Sequence, residues 1–224
     1  MPAAQAEMVE LTRGLLPGPV AVCASRIGPD DAGLWPVEAD AMRRAVPRRR
    51  AEFAAGRLAA RRAMAELGQT PGAIPMRHDR SPEWPARLTG SITHAGGLAL
   101  AAVARTDQVA AIGIDAEPDE PLPEGLLGLI CRAEERAWCA TTPDPGRAAR
   151  LIFAAKEAAY KCQYPLSGKL FGHEALRITV GGAGRLTACF MQPAGPFAAG
   201  ETMAGQAGWR HGMIIAAFSV PLGH

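Results

Sequence analysis

Residues 153–161 read FAAKEAAYK, and residues 53–61 read FAAGRLAAR. The two stretches share a phenylalanine and three alanines in one frame, and each closes on a basic residue, Lys161 in one and Arg61 in the other. Alanine is common throughout the chain, so the identities alone carry little weight. Their setting carries more. Each stretch lies inside a helix-forming run, each run goes with β-rich sequence, and the two fall in opposite halves of the 224 residues. The pattern predicts an α+β protein of two related halves, 1–107 and 108–224, packed face to face around a cleft.

The first copy belongs to PRRRAEFAAGRLAARRAMAELG, with Pro47 near its start, Gly68 to stop it and good helix formers between. At 100° per residue Arg50, Arg57 and Arg61 gather on one face beside an apolar stripe of Phe53, Ala60, Met64 and Leu67. Those cations read either as a solvated basic surface or as an anion site. The second copy belongs to GRAARLIFAAKEAAYKCQYP, expected to stop near Tyr164 because Pro165 follows. Ala148, Ile152, Ala155, Ala159 and Cys162 repeat at helical spacing toward the core, and Phe153, Glu157 and Lys161 lie off that stripe. A short helix is expected over CRAEERAWCA.

Between the two helices, MRHDRSPEWPARLTG is a loop, rich in proline and turn formers. SITHAGGLALAAVA then gives two β-like runs around Gly96 and Gly97, and DQVAAIGIDAEP a further strand, joined as a hairpin. Strand alternation sends Asp115 and Glu117 to one face and Ile112, Ile114 and Ala116 to the other. LRITV, RLTACFMQ and GMIIAAFSVP read as three more strands.

A formal charge of +2 is too small for a general nucleic-acid binder, and no nucleic-acid-binding signature appears. Five scattered cysteines without a C-x-x-C pair argue against a disulfide framework or a zinc site. The opening residues lack the basic and apolar regions of a secretory signal, and LALAAVA falls far short of the ~20 apolar residues that span a bilayer. A cytoplasmic location is expected.

Across the cleft, the first half would bring Arg57, Arg61 and His94, and the second Asp115, Glu117, Glu157 and two lysines. Hard carboxylates without thiolates suit Mg²⁺, and arginines with a histidine suit a polyphosphate. Together they point to phosphoryl transfer, which needs charge neutralisation and alignment more than covalent help. Each residue also has a plain reading: Glu157 and Lys161 as a surface i, i+4 pair, Asp115 and Glu117 as a strand end, His94 as a turn histidine. GGAGR (Gly181–Arg185) lacks the G-K-[ST] of a P-loop, and Ser91 stands outside G-x-S-x-G.

FAAGRLAAR, WP…GSITH, GIDAEP and FAAKEAAYK…YPL, in this order and at these separations, closely resemble the 4′-phosphopantetheinyl transferases of the surfactin and enterobactin type, with the enterobactin-like bacterial branch nearest. The resemblance runs from about Arg48 to about Gly172. It implies two similar α+β halves related by a pseudo-twofold, the active site lying in the cleft between them. Its activity would be Mg²⁺-dependent transfer of the 4′-phosphopantetheine arm from coenzyme A to a serine of an apo acyl or peptidyl carrier protein, releasing adenosine 3′,5′-bisphosphate. Carried over by motif, Asp115, Glu117 and Glu157 would hold Mg²⁺, and Lys156 and Lys161 would contact phosphate. Lys161 would stabilise developing charge, and Glu157 or a metal-bound water would take the serine proton. Arg49, Arg57, Arg61 and His94 would bind coenzyme A phosphates, and Ser91 would lie along the cofactor.

Two positions depart from the family pattern. Ala95 stands where relatives often carry cysteine, and Ser81 precedes Pro82 where they carry a basic residue, leaving the loop phosphate contact to Arg80 or Arg77. A magnesium-dependent hydrolase of coenzyme A or a related nucleotide would need the same carboxylates, and a non-catalytic coenzyme A-binding module would not. Both halves in one chain imply a monomer. Polyketide, nonribosomal-peptide, siderophore and fatty-acid carriers all stay open as partners.

Overall fold

The structure, a computed structural model, describes residues 3–223. Met1, Pro2 and His224, at the outer ends of the two expected halves, lie outside the described residues. In chain order come helix α1 (Ala3–Gly14), strand β1 (Ala21–Arg26), α2 (Pro36–Ala41), α3 (Pro47–Glu66), β2 (Leu88–Ala95), β3 (Leu98–Arg105) and β4 (Val109–Pro118). There follow α4 (Glu124–Ile130), α5 (Ala133–Cys139), α6 (Pro145–Ser167), β5 (Leu176–Val180), β6 (Arg185–Phe190), β7 (Thr202–Arg210) and β8 (Met213–Pro221).

Each half sets one long helix on one antiparallel sheet. In the first, α3 lies on a sheet of order β1-β3-β2, burying Ala59, Ala60, Ala63 and Met64 against Ala101 and Val103. In the second, α6 lies on a sheet of order β4-β8-β7-β6-β5, and the stripe Ala148, Ile152, Ala155, Ala159 and Cys162 is buried. The small residues on α6 allow a close approach. Gly113 completes it, because a Cβ there would overlap the Ala158 carbonyl oxygen and press on Cys162.

The expected stop at Pro165 is not where α6 ends: the helix runs through the proline to Ser167. So near its end, a missing N–H costs little. The Gly168 N–H bonds Tyr164 O at 2.8 Å, and Gly168 turns out of the helix at φ 62°.

The expected hairpin forms between β2 and β3, but β4 leaves their sheet and pairs with β8. Strands β2 and β4 still lie against each other, linked by side chains. Ser91 Oγ accepts from the Ile114 N–H at 3.0 Å, and Thr93 Oγ1 accepts from the Ala116 N–H at 3.0 Å. Two hydroxyls thus replace the backbone rungs between the sheets.

Beneath this junction the halves share a core. Ile112, Ile114 and Ala116 of β4, with Ile215 and Ala217 of β8, pack with Met8, Val9, Val22 and Leu100. Among the described residues no helix is long and apolar enough to cross a membrane, and all five cysteines are buried free thiols.

Candidate active site

The cleft, of about 850 Å³, opens where the two halves meet. Its floor follows from the close seating of α6 on β4. Lys161 Nζ donates to Asp115 Oδ1 at 2.6 Å and to Ile114 O at 3.3 Å, and Thr93 Oγ1 donates to the same Asp115 oxygen at 3.1 Å. Asp115 is 5% exposed, and its Oδ2 is buried without a hydrogen-bond partner. Burial pushes this carboxyl up, against the pull of the Lys161 ammonium.

The other two carboxylates also carry side-chain hydrogen-bond partners. Glu117 accepts from Arg150 Nη1 at 2.9 Å, while burial and then repulsion from Asp115 push its carboxyl up. Glu157 Oε1 lies 3.0 Å from His173 Nε2, and that bond holds Glu157 below the usual carboxylate range. Among the described residues no three His, Cys, Asp or Glu side chains form a ready-made metal cage. The donor set nevertheless fits Mg²⁺, a hard cation that takes carboxylate oxygens and fills the rest of its octahedron with water and phosphate oxygens. The unpartnered Asp115 Oδ2 is the atom such an ion would satisfy.

On the other wall stand Arg49, Arg57 and His94. Arg49 Nη1 is 2.9 Å from His94 Nε2, and both approach Glu52, at 3.6 and 3.7 Å. Burial holds the His94 imidazole below its ordinary range. Arg57 donates through Nε to Ile74 O at 2.9 Å and lies over the Phe53 ring. Arg77 and Arg80 come from the loop, which is tied across the cleft: the Tyr164 hydroxyl donates to Asp79, whose other oxygen accepts from the Ser81 N–H at 2.9 Å and Ser81 Oγ at 2.6 Å.

Two expected phosphate contacts stand elsewhere. Lys156 is 1% exposed, paired with Glu135 at 2.7 Å and bonded to Ile130 O and His173 O at 2.8 and 2.9 Å. Arg61 is buried against Glu38, which it meets at 2.8 and 2.9 Å, and against Gly33 O. Both side chains lie within 60° of core positions on their helices, Lys156 beside Ile152 and Ala159 and Arg61 beside Met64, so burial required partners for them. The basic face of α3 is therefore largely internal rather than solvated. Ser91 lies along the cleft, but its hydroxyl is engaged by β4.

Two family models cover most of the chain. That of the 4′-phosphopantetheinyl transferase N-terminal domain matches residues 37–104, and that of the 4′-phosphopantetheinyl transferase superfamily matches residues 111–210. The 4′-phosphopantetheinyl transferase Svp of Streptomyces mobaraensis is 40% identical over 202 residues, 86% of this chain and 81% of that protein. The chain belongs to the 4′-phosphopantetheinyl transferases. The transferase is also 42% identical over 151 residues to Npt of Nocardia iowensis, covering 67% of this chain and 68% of the relative. With enterobactin synthase component D of Salmonella typhimurium it shares 38% identity over 134 residues, 57% and 54% of the two chains. It is an enzyme that transfers the 4′-phosphopantetheine arm.

Arg49, Arg57, Arg80, Ser91, His94, Asp115, Glu117, Glu157 and Lys161 all line the transferase's cleft. Sequence reading missed Thr93, Asp79, Tyr164, Arg150 and His173. Thr93 stands inside GSITH, where alternation from Ser91 aims it at the same neighbour; His173 gives no such signal, because only the turn after Gly168 brings it back to α6.

Proposed function

We propose that the transferase binds coenzyme A in this cleft and passes its 4′-phosphopantetheine arm to the serine of an apo acyl or peptidyl carrier protein. The serine Oγ forms a bond to the β-phosphorus as the pyrophosphate P–O bond breaks, and the electron pair leaves with adenosine 3′,5′-bisphosphate. The serine proton goes to Glu157, which His173 favours in its ionised form. Lys161, held against Asp115, faces the charge that develops on the transferred phosphoryl group. Arg49, Arg57 and His94 bind phosphates from the opposite wall, with Arg80 from the loop.

Asp115, Glu117 and Glu157 would hold Mg²⁺, which when bound neutralises pyrophosphate charge. One chain supplies both walls, and the active species is a monomer in the cytoplasm. The observation that carries this reading is the meeting of Asp115, Glu157 and Lys161 in one cleft, with Asp115 Oδ2 buried and unpartnered. A phosphate site alone would have no use for that oxygen.

The test is intact mass of a purified apo carrier protein after incubation with coenzyme A, Mg²⁺ and either wild-type enzyme or Glu157→Ala. The carrier should gain the mass of the phosphopantetheine arm with wild type and not with the variant. Coenzyme A consumed without carrier modification, across carriers from several pathways, would favour a hydrolase. Coenzyme A left intact would reduce the protein to a binding module.

A further inference from the structure

We propose that His173 is a positioning residue for Glu157, and that the buried Lys156 exists to place it. This rests on the reading of Glu157 as metal ligand and proton acceptor. After Gly168 the chain turns back and forms a short 3₁₀ turn over His173–Ala175, laying the imidazole along α6 beside Phe153 and Glu157, one helical turn apart. The His173 and Phe153 ring centroids are 5.8 Å apart. An ionised carboxylate only accepts, so His173 Nε2 carries the hydrogen it gives to Glu157 Oε1. Among the described residues no hydrogen bond engages Oε2.

The turn itself is anchored from below. Lys156, on the preceding residue of α6, donates to His173 O while its ion pair with Glu135 fixes the ammonium. Glu135 is in turn held by the Ile178 N–H at 2.6 Å and the Arg132 N–H at 2.7 Å, and Arg132 Nη1 bonds Glu174 O at 2.6 Å. Every member of this network is satisfied, so the backbone that carries the imidazole is fixed from three elements. The histidine–glutamate pair is different in kind: its side chains are 29% and 33% exposed, and such a pair contributes little to stability. Its consequence is orientation, one carboxylate oxygen fixed and the other presented. Outer partners of this sort hold metal-binding carboxylates in place.

The test uses the full chain with Mn²⁺ as the probe, its free fraction followed by electron paramagnetic resonance, in parallel with kcat and KM for coenzyme A. His173→Phe keeps the packing on Phe153 and removes the donor; His173→Gln restores a donor. His173→Phe should weaken Mn²⁺ binding about 10- to 100-fold and lower kcat, with KM for coenzyme A and the melting temperature unchanged, and His173→Gln should recover both losses. Wild-type Mn²⁺ binding and kcat in His173→Phe would overturn the proposal, as would losses that His173→Gln does not recover. If Glu157→Gln takes up Mn²⁺ as wild type does, the metal assignment of Glu157 falls and kcat alone decides. Unchanged kcat in His173→Phe then refutes positioning, and a loss recovered by Gln upholds it.

Discussion

Lys156 and Lys161 stand on the same helix and end in opposite surroundings, one sealed against Glu135 and the other reaching Asp115 at the cleft. The motif that contains both does not separate them, but the helical period does: position 156 falls among the buried alanines and position 161 beside them. A lysine in a core stripe must be paired, and Glu135 is the partner the sequence did not reveal, because nothing in CRAEERAWCA ties it to α6. Replacing Lys156 by Met would strand the Glu135 carboxylate in the interior, at a cost of about 3–5 kcal/mol. Urea unfolding of Lys156→Met measures this, and an unchanged midpoint would show that the pair is dispensable. Strand alternation made Asp115 and Glu117 legible as a pair, and the family resemblance of GIDAEP and FAAKEAAYK, rather than spacing alone, joined them with Glu157 and Lys161 in one site. Tyr164 and Asp79 were not, since their meeting depends on the path of an irregular loop.

At the level of elements, the contact between α6 and β4 sets the geometry of the floor. Gly113 permits it, and Gly113→Ala must drive the helix from the strand, because the added methyl meets backbone rather than a side chain that can yield. The expected outcome is a loss of about 1–3 kcal/mol or more, together with a fall in transferase activity as Glu157 and Lys161 move away from Asp115. Wild-type activity and stability would show that the two elements can separate without harm. Helices α3 and α6 were readable because long, alanine-rich runs with clear boundaries admit few alternatives. Strand β7, TMAGQAGWR, was not, since its few apolar residues give almost no alternation. The destination of β4 was also hidden, because a pairing with β8 joins residues about a hundred positions apart and local sequence cannot report it.

For the molecule as a whole, the shared core outweighs the boundary between the halves. Met8, Val9, Val22 and Leu100 are covered by residues from β4 and β8, so a fragment ending at residue 107 leaves them open to water. Produced alone, 1–107 should lack a cooperative thermal transition and aggregate, and a sharp reversible melt of that fragment would overturn this. The repeated frame and its β-rich setting indicated an α+β fold with one long helix in each half; they did not indicate that the halves share an interior. Strand β8 enters both interiors, with Ile215 and Ala217 turned to the shared core and Ile214, Ala216 and Phe218 to the core beneath α6. During synthesis, therefore, neither the shared core nor the core beneath α6 can close until the strand at 213–221 has left the ribosome. The apolar face that β1 and β3 turn to the shared core is not fully covered until that last strand is made.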